Sequence, residues 1–296
     1  MKTFWIVLGV LAAAGVLLMA VGLFLGAATN LAVDNDGVHF GDGERQRINE
    51  TGLGEISGLD IQTTSARVEI ISAARAGLTI DCDRNPPVTW SLDDGVLKVR
   101  QGYTSFWQIL SLNFGFHRDV IQVYLPEDVR LDRVKIAGAS GSVAVSALNC
   151  RTFDVTVASG KVTADKITAE DFTAHSTSGS IVLTGCGADR MRLSITSGSL
   201  KGSGIRSGEM WAHTTSGTLR LEGKFLGENT IEVTSGSCVL DVAGFKRDYS
   251  RYISVTSGSV RVNGIKTTGN DTDTGAPNTL RVKVISGSAQ IRFGED

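Results

Sequence analysis

From about residue 137 onward, apolar residues sit two apart in short runs, fall out of phase, and resume nineteen positions later. Ser-Gly pairs keep the period. They begin at Ser140, Ser159, Ser178, Ser197, Ser216, Ser235, Ser257 and Ser286, so five intervals of 19 precede one of 22 and one of 29. With each serine as position zero, position three reads Val143, Val162, Ile181, Leu200, Leu219, Cys238, Val260 and Ala289. Position five reads Val145, Ala164, Leu183, Gly202, Leu221, Leu240, Val262 and Ile291. Position eight holds Leu148, Ile167, Cys186, Ile205, Ala243 and Ile265, with Lys224 as the exception. Positions thirteen and fifteen hold Phe153/Val155, Phe172/Ala174, Met191/Leu193 and Met210/Ala212; Ile231 keeps position fifteen in the fifth copy, where Asn229 breaks position thirteen.

Apolar residues two apart, with polar residues between them, mark a strand with one buried face. Each copy therefore carries two strands, near positions two to six and thirteen to eighteen. The buried parity makes an odd step of five between position minus two (Val157, Ile195, Val233, Val255, Val284) and position three. A straight strand cannot make that step, so the chain turns a corner at Ser-Gly, where glycine reaches backbone angles closed to other residues. One copy cannot bury its own apolar row, whereas parallel stacking at about 4.8 Å per rung builds a continuous core. The pattern predicts an all-β chain, a parallel β-solenoid of 19-residue rungs, with eight rungs spanning roughly 40 Å. The copies at Ser235 and Ser257 are expected as successive rungs.

The template extends upstream. With Ser65 as zero, Leu59 and Ile61 take positions thirteen and fifteen, and Val68 and Ile70 take three and five. Between there and Ser140 the pattern loosens into ordinary strands, including "VTWSLDDGVLKVR" with a hairpin-like Asp-Asp-Gly. The organisation expected is a cytoplasmic amino terminus over 1–3, a transmembrane anchor over 4–28, a linker over 29–55, an irregular β region over 56–136 and regular repeats over 137–293.

The anchor rests on Phe4 to Ala28, 25 positions without a charge, enough to cross a hydrocarbon layer of about 30 Å. Cleavage after Ala28, where Gly26 and Ala28 are small, is the alternative reading of the same run. Lys2 before the span and Asp34 and Asp36 after it place the amino terminus in the cytoplasm and the β domain outside. The localisation expected is thus the cell membrane, single-pass, with the membrane itself as a partner.

Composition narrows the function classes. A net charge of −2 lacks the clustered cations that nucleic acid requires. Thirty-five glycines with only four prolines suit a β protein full of tight turns. Cys82, Cys150, Cys186 and Cys238 form no zinc spacing. Cys238 and Cys186 fall at inward positions three and eight, where a thiol packs as a small hydrophobe. Cys150 and Cys186 lie two rungs apart, about 9–10 Å and beyond disulfide reach. His175 and His213 share position minus three, also two rungs apart, which rules against one zinc between them. The serine of the corner recurs in every copy, whereas a nucleophile needs a unique base and orienter.

At this point the chain resembles a known family. "VIQVYLPEDVRLDRVKIAGASGSVAV" followed by reiterated "TSGS" is similar to the bacterial putative adhesins with β-strand repeats, over about residues 56–293. The resemblance implies an exported or membrane-anchored protein with a surface or envelope-associated role, in some members linked to envelope stress. It carries no catalytic residues to transfer.

Two local features remain. "GNDTDTG", Gly269 to Gly275, lies in the long last interval and reads as a solvated loop without the twelve-residue calcium pattern. "YTSFWQILSLNFGFHR" gathers Tyr103, Phe106, Trp107, Phe114 and Phe116, either as a cover for the open end of the stack or as an interaction patch. The expected function is non-enzymatic: adhesion, binding or envelope-stress scaffolding, with an envelope protein or cell-surface polymer as partner, and neither cofactor nor metal. The alternatives are a polysaccharide-acting β-helix enzyme, which needs clustered acids on one face, and an ice-ordering threonine column through Thr177, Thr196, Thr215, Thr234 and Thr256.

Overall fold

The computed structural model describes residues 30–34, 37–41, 45–83, 88–102, 112–113, 119–267 and 271–294. In chain order the strands are β1 (Asn30–Asp34), β2 (Gly37–Gly41), β3 (Arg45–Thr51), β4 (Gly58–Thr63), β5 (Arg67–Ala73) and β6 (Gly77–Asp83). They continue as β7 (Val88–Asp93), β8 (Val96–Gln101), β9 (Leu112–Asn113), β10 (Val120–Pro126) and β11 (Arg130–Gly138). The repeats occupy β12 (Ser142–Thr184), β13 (Gly187–Phe225), β14 (Glu228–Phe245), β15 (Tyr249–Val262) and β18 (Asn278–Gly294), with short β16 (Ile265–Thr267) and β17 (Asp271–Asp273) between the last two. The only helical turn among the described residues is a 3-10 turn at Lys246–Asp248. The run Phe4–Ala28 lies outside the described residues; among those described, no helix is long and apolar enough to cross a membrane.

The period is the hydrogen-bond register. Parallel pairing matches residue i with i+19 from β11 to β12, from β12 to β13 and from β13 to β14, as in Phe172 with Met191 and Leu219 with Cys238. The upstream extension holds: Val68 pairs with Val143 and Leu59 with Val134. Beyond those partners the stack ends in ordinary strands. On one side lie β8 and the antiparallel β7, joined at Asp94 and Gly95, both at positive φ as a two-residue hairpin turn requires. On the other side β5 is followed by β10, β6 and β3. Within the stretch expected as a linker, Arg45–Thr51 is thus an edge strand, tied to β6 by the Arg45–Asp81 ion pair.

The order of the last rungs differs from the expectation of successive stacking. Ser235 pairs with Ser286, and Ser286 pairs with Ser257, so the C-terminal β18 lies between β14 and β15. The corners say the same thing: a Cβ on Gly287 would meet the Gly236 carbonyl, and one on Gly258 the Gly287 carbonyl. All copies carry the same corner and the same inward parity, so β18 satisfies both neighbours at once. The long last interval is the excursion that brings it back. β15 is left as the end rung, and β16 and β17 cover its outer edge in antiparallel fashion.

Each regular rung has three corners. The inward set in one copy is Val143, Val145, Leu148, Cys150, Phe153, Val155 and Val157, so parity also slips between positions five and eight and between ten and thirteen. Eight corner glycines have φ between 113° and 139°. They stack backbone upon backbone, so a Cβ on Gly160 would lie 1.8 Å from the Gly141 carbonyl oxygen. At the second corner, position seven, Ala147, Lys166, Gly185 and Gly204 all adopt φ of 52–64°.

The second corner is missing from the copies at Ser216 and Ser235, where the strand runs straight on. Leu221, Gly223 and Phe225 are buried in alternation, which turns Lys224 outward and accounts for the exception at position eight. The same straightening buries Val242 and exposes Ala243, and Ile265, in β16, is 74% exposed; both were expected inward. Asn229 is fully buried at position thirteen yet satisfied. Its amide donates to the carbonyls of Leu226 (2.9 Å) and Thr279 (3.3 Å), and its oxygen accepts from Ser207 Oγ (3.2 Å). A hydrogen-bonded amide here fixes the chain reversal that replaces the lost corner.

Candidate binding face

Outward side chains form columns because rungs repeat in register. On the strand at positions twelve to eighteen, position twelve presents Asp171, Arg190, Glu209 and Glu228 on consecutive rungs, and position fourteen Thr173, Arg192, Trp211 and Thr230. Asp171 receives both Nε (2.5 Å) and Nη2 (2.7 Å) of Arg190 from the next rung. Those bonds hold the Asp171 carboxyl below its ordinary range and keep Arg190 protonated beyond its own. On the neighbouring face Asp241 joins Arg220 of one adjacent rung and Arg292 of the other. These exposed pairs fix register more than they add stability.

Trp211 is 37% exposed at an outward position, and its indole lies parallel to the His213 ring, 3° apart with centroids 5.5 Å apart. His213 itself leans on Thr215 through Nε2 (3.3 Å) and on Glu232 through Nδ1 (3.6 Å). On the other side of Trp211 a cleft of about 140 Å³ crosses three rungs, walled by Arg190 and Arg192, by Glu209, and by Glu228 and Thr230, over buried Met191 and Met210. A second groove, of about 350 Å³, runs over Ala137, Gly138, Ala139 and Ala158, with His175 and Gln101 also lining it. Small residues open it where later rungs carry larger ones. Gln101 is buried there and caps the first corner, its oxygen facing the amides of Thr64, Ser65 and Ala66 (3.3–3.4 Å).

The sequence-derived candidates separate clearly. Tyr103, Phe106, Trp107, Phe114 and Phe116 lie outside the described residues. All four cysteines are free and buried, Cys238 and Cys186 in the core positions expected of them. Desolvation pushes the thiols of Cys82, Cys150 and Cys238 up to about 12 and raises that of Cys186. His175 and His213 are half-buried on the outer face, with Ser194 on the rung between them. The threonine column is interrupted: Ile285, 42% exposed, stands between Thr234 and Thr256 because β18 is inserted there. In the last interval Asp273 binds the buried guanidinium of Arg251 (2.5 Å), which also donates to the Lys246 and Tyr249 carbonyls. No group of three or more His, Cys, Asp or Glu among the described residues could hold a metal ion. Sequence reasoning passed over Trp211, although a tryptophan at an outward position of a strictly alternating strand was the available signal.

A family model described as Toastrack DUF4097 matches residues 56–292. Among solved structures the chain is similar to a putative adhesin from Bacteroides fragilis NCTC 9343, at 14% identity and a TM-score of 0.52, over 85% of this chain and 99% of that one. It is also similar to a putative adhesin from Parabacteroides merdae ATCC 43184, at 14% identity and a TM-score of 0.49, over 86% and 98% of the two chains. No curated protein matches.

Proposed function

Since the chain belongs to the Toastrack DUF4097 family, we propose that it is a non-enzymatic surface protein. Phe4–Ala28 holds it in the cell membrane, and the β stack stands on the extracytoplasmic side, where its outer faces bind an envelope or cell-surface partner. The observation that carries this reading is the face around Trp211: an exposed aromatic and unsequestered charges displayed on a register-locked sheet. Rigid, preorganised side chains bind with little ordering cost, which is what a display scaffold supplies. The Bacteroides fragilis protein of the same fold is described as a putative adhesin, and adhesion is the form of binding proposed here.

The test is protease shaving of intact cells that express the full chain with an amino-terminal tag. The stack should be digested from outside while the tag stays protected and membrane-bound after alkaline extraction. A stack protected inside the cell, or released in soluble form, would overturn the placement. Attachment of expressing cells to surfaces and to other cells should exceed that of cells lacking the protein; equal attachment would remove adhesion.

A further inference from the structure

Resting on that reading, we infer that the cleft beside Trp211 is a binding site for a neutral glycan, taking one pyranose ring against the indole. One face of the indole is occupied by His213, and the cleft lies to the other side along the strand, so a single aromatic face is offered. Sugar rings carry an apolar face of C–H groups that packs on such a surface, as other apolar faces do on aromatic rings. The rim supplies hydroxyl partners of both kinds. Arg192 donates and Glu209 and Glu228 accept, all three exposed and without a hydrogen-bond partner among the described residues.

Charge decides between ligand classes. The lining holds two guanidiniums and two carboxylates, and Arg190 is already committed to Asp171. An anion would meet Glu209 and Glu228, and a cation would meet Arg190 and Arg192, so either would face like charge as well as opposite charge. An uncharged polyol meets no such penalty and uses both signs. The cleft spans three rungs on the outer face of the stack, so it has the length to take a residue within a polymer as well as a chain end. Its walls are carried by three hydrogen-bonded rungs and need no rearrangement to receive a ligand.

The experiment uses the full chain in detergent micelles, incubated with insoluble cellulose, chitin and starch, and titrated with their soluble oligosaccharides. At least one neutral polymer should retain the protein. W211A should weaken that retention tenfold or more while leaving the far-UV spectrum and Tm unchanged, and E209Q or R192Q should weaken it severalfold. If W211A fails to fold, the latter two variants carry the test. Retention unaffected by all three variants, absence of retention on every neutral polymer, or retention on acidic alginate alone would each overturn the site. The two readings fail separately. Cell attachment without Trp211-dependent retention on any neutral polymer removes the glycan site and leaves adhesion, whereas Trp211-dependent retention without cell attachment does the reverse.

Discussion

A methyl group on Gly160 would come within 1.8 Å of a backbone oxygen, whereas one on Gly185 would come no closer than 3.6 Å to anything. Both glycines have positive φ, yet the two corners impose different demands. At the first, the preceding rung's carbonyl fills the space a side chain would need. G160A should therefore destabilise the protein by more than about 4 kcal/mol or prevent folding. G185A should cost about 1 kcal/mol, the penalty of the left-handed region alone, since Ala147 and Lys166 already occupy that column. Urea denaturation of the two variants would check the contrast; equal effects would mean that the corners are equivalent. At position minus two, the buried residues alternate between apolar and hydroxyl-bearing side chains, as Val157, Ser176, Ile195, Thr214 and Val233. The hydroxyls of Ser176 and Thr214 are buried without a partner. Replacing Thr214 by valine removes an unsatisfied group at nearly constant shape and should raise stability by about 1 kcal/mol. A lower denaturation midpoint for T214V would show that the hydroxyl is satisfied.

The strands β14, β18 and β15 show how far an element can be read from its letters. Their existence, parity and corners were legible, because a parallel ladder forces every rung to present the same inward positions and the same glycine. Their order was not. Register is set by local alternation and corner chemistry, and "VTSGS" at Val233, "VISGS" at Val284 and "VTSGS" at Val255 satisfy it equally. Only the excursion of 29 residues hinted at a return. A cross-linking pair decides the order in solution. Cysteines placed at Ser237 and Ser288, direct partners in adjacent strands, should oxidise readily to a disulfide. Cysteines at Ser237 and Ser259 should not, since β18 separates them by two strand spacings, about 9–10 Å. Efficient oxidation of the second pair would mean that the rungs follow chain order. The straight run through Gly223 and Phe225 was hidden for a related reason: a fixed template assigns Lys224 inward, whereas alternation counted onward from Leu221 assigns it outward.

At the scale of the whole molecule, one continuous core joins the irregular first strands to the last rung, and the four buried thiols belong to it. In the folded protein those of Cys82, Cys150 and Cys238 stay protonated up to about pH 12, whereas in the unfolded chain they ionise near 8.5. Between those values the unfolded state has lost protons that the native state keeps, so stability falls as pH rises. Tm should be insensitive to these groups below about pH 8 and should decline from about pH 9 to 11, with iodoacetamide labelling only after unfolding. Labelling of the folded protein at pH 8 would contradict the burial. The candidate site was the least legible part. Core positions betray themselves by recurrence, but a binding face is defined by what departs from recurrence, and Trp211 departs from the polar and charged residues of that face only when the rungs are laid side by side.

The insertion of β18 also has a consequence for biogenesis. The strand that completes this part of the sheet is synthesised after both of its neighbours, and until it arrives β14 and β15 each expose an unpaired edge. A chain that stops before β18 would thus carry two sticky borders, open to proteases and chaperones, whereas one that includes β18 has none there.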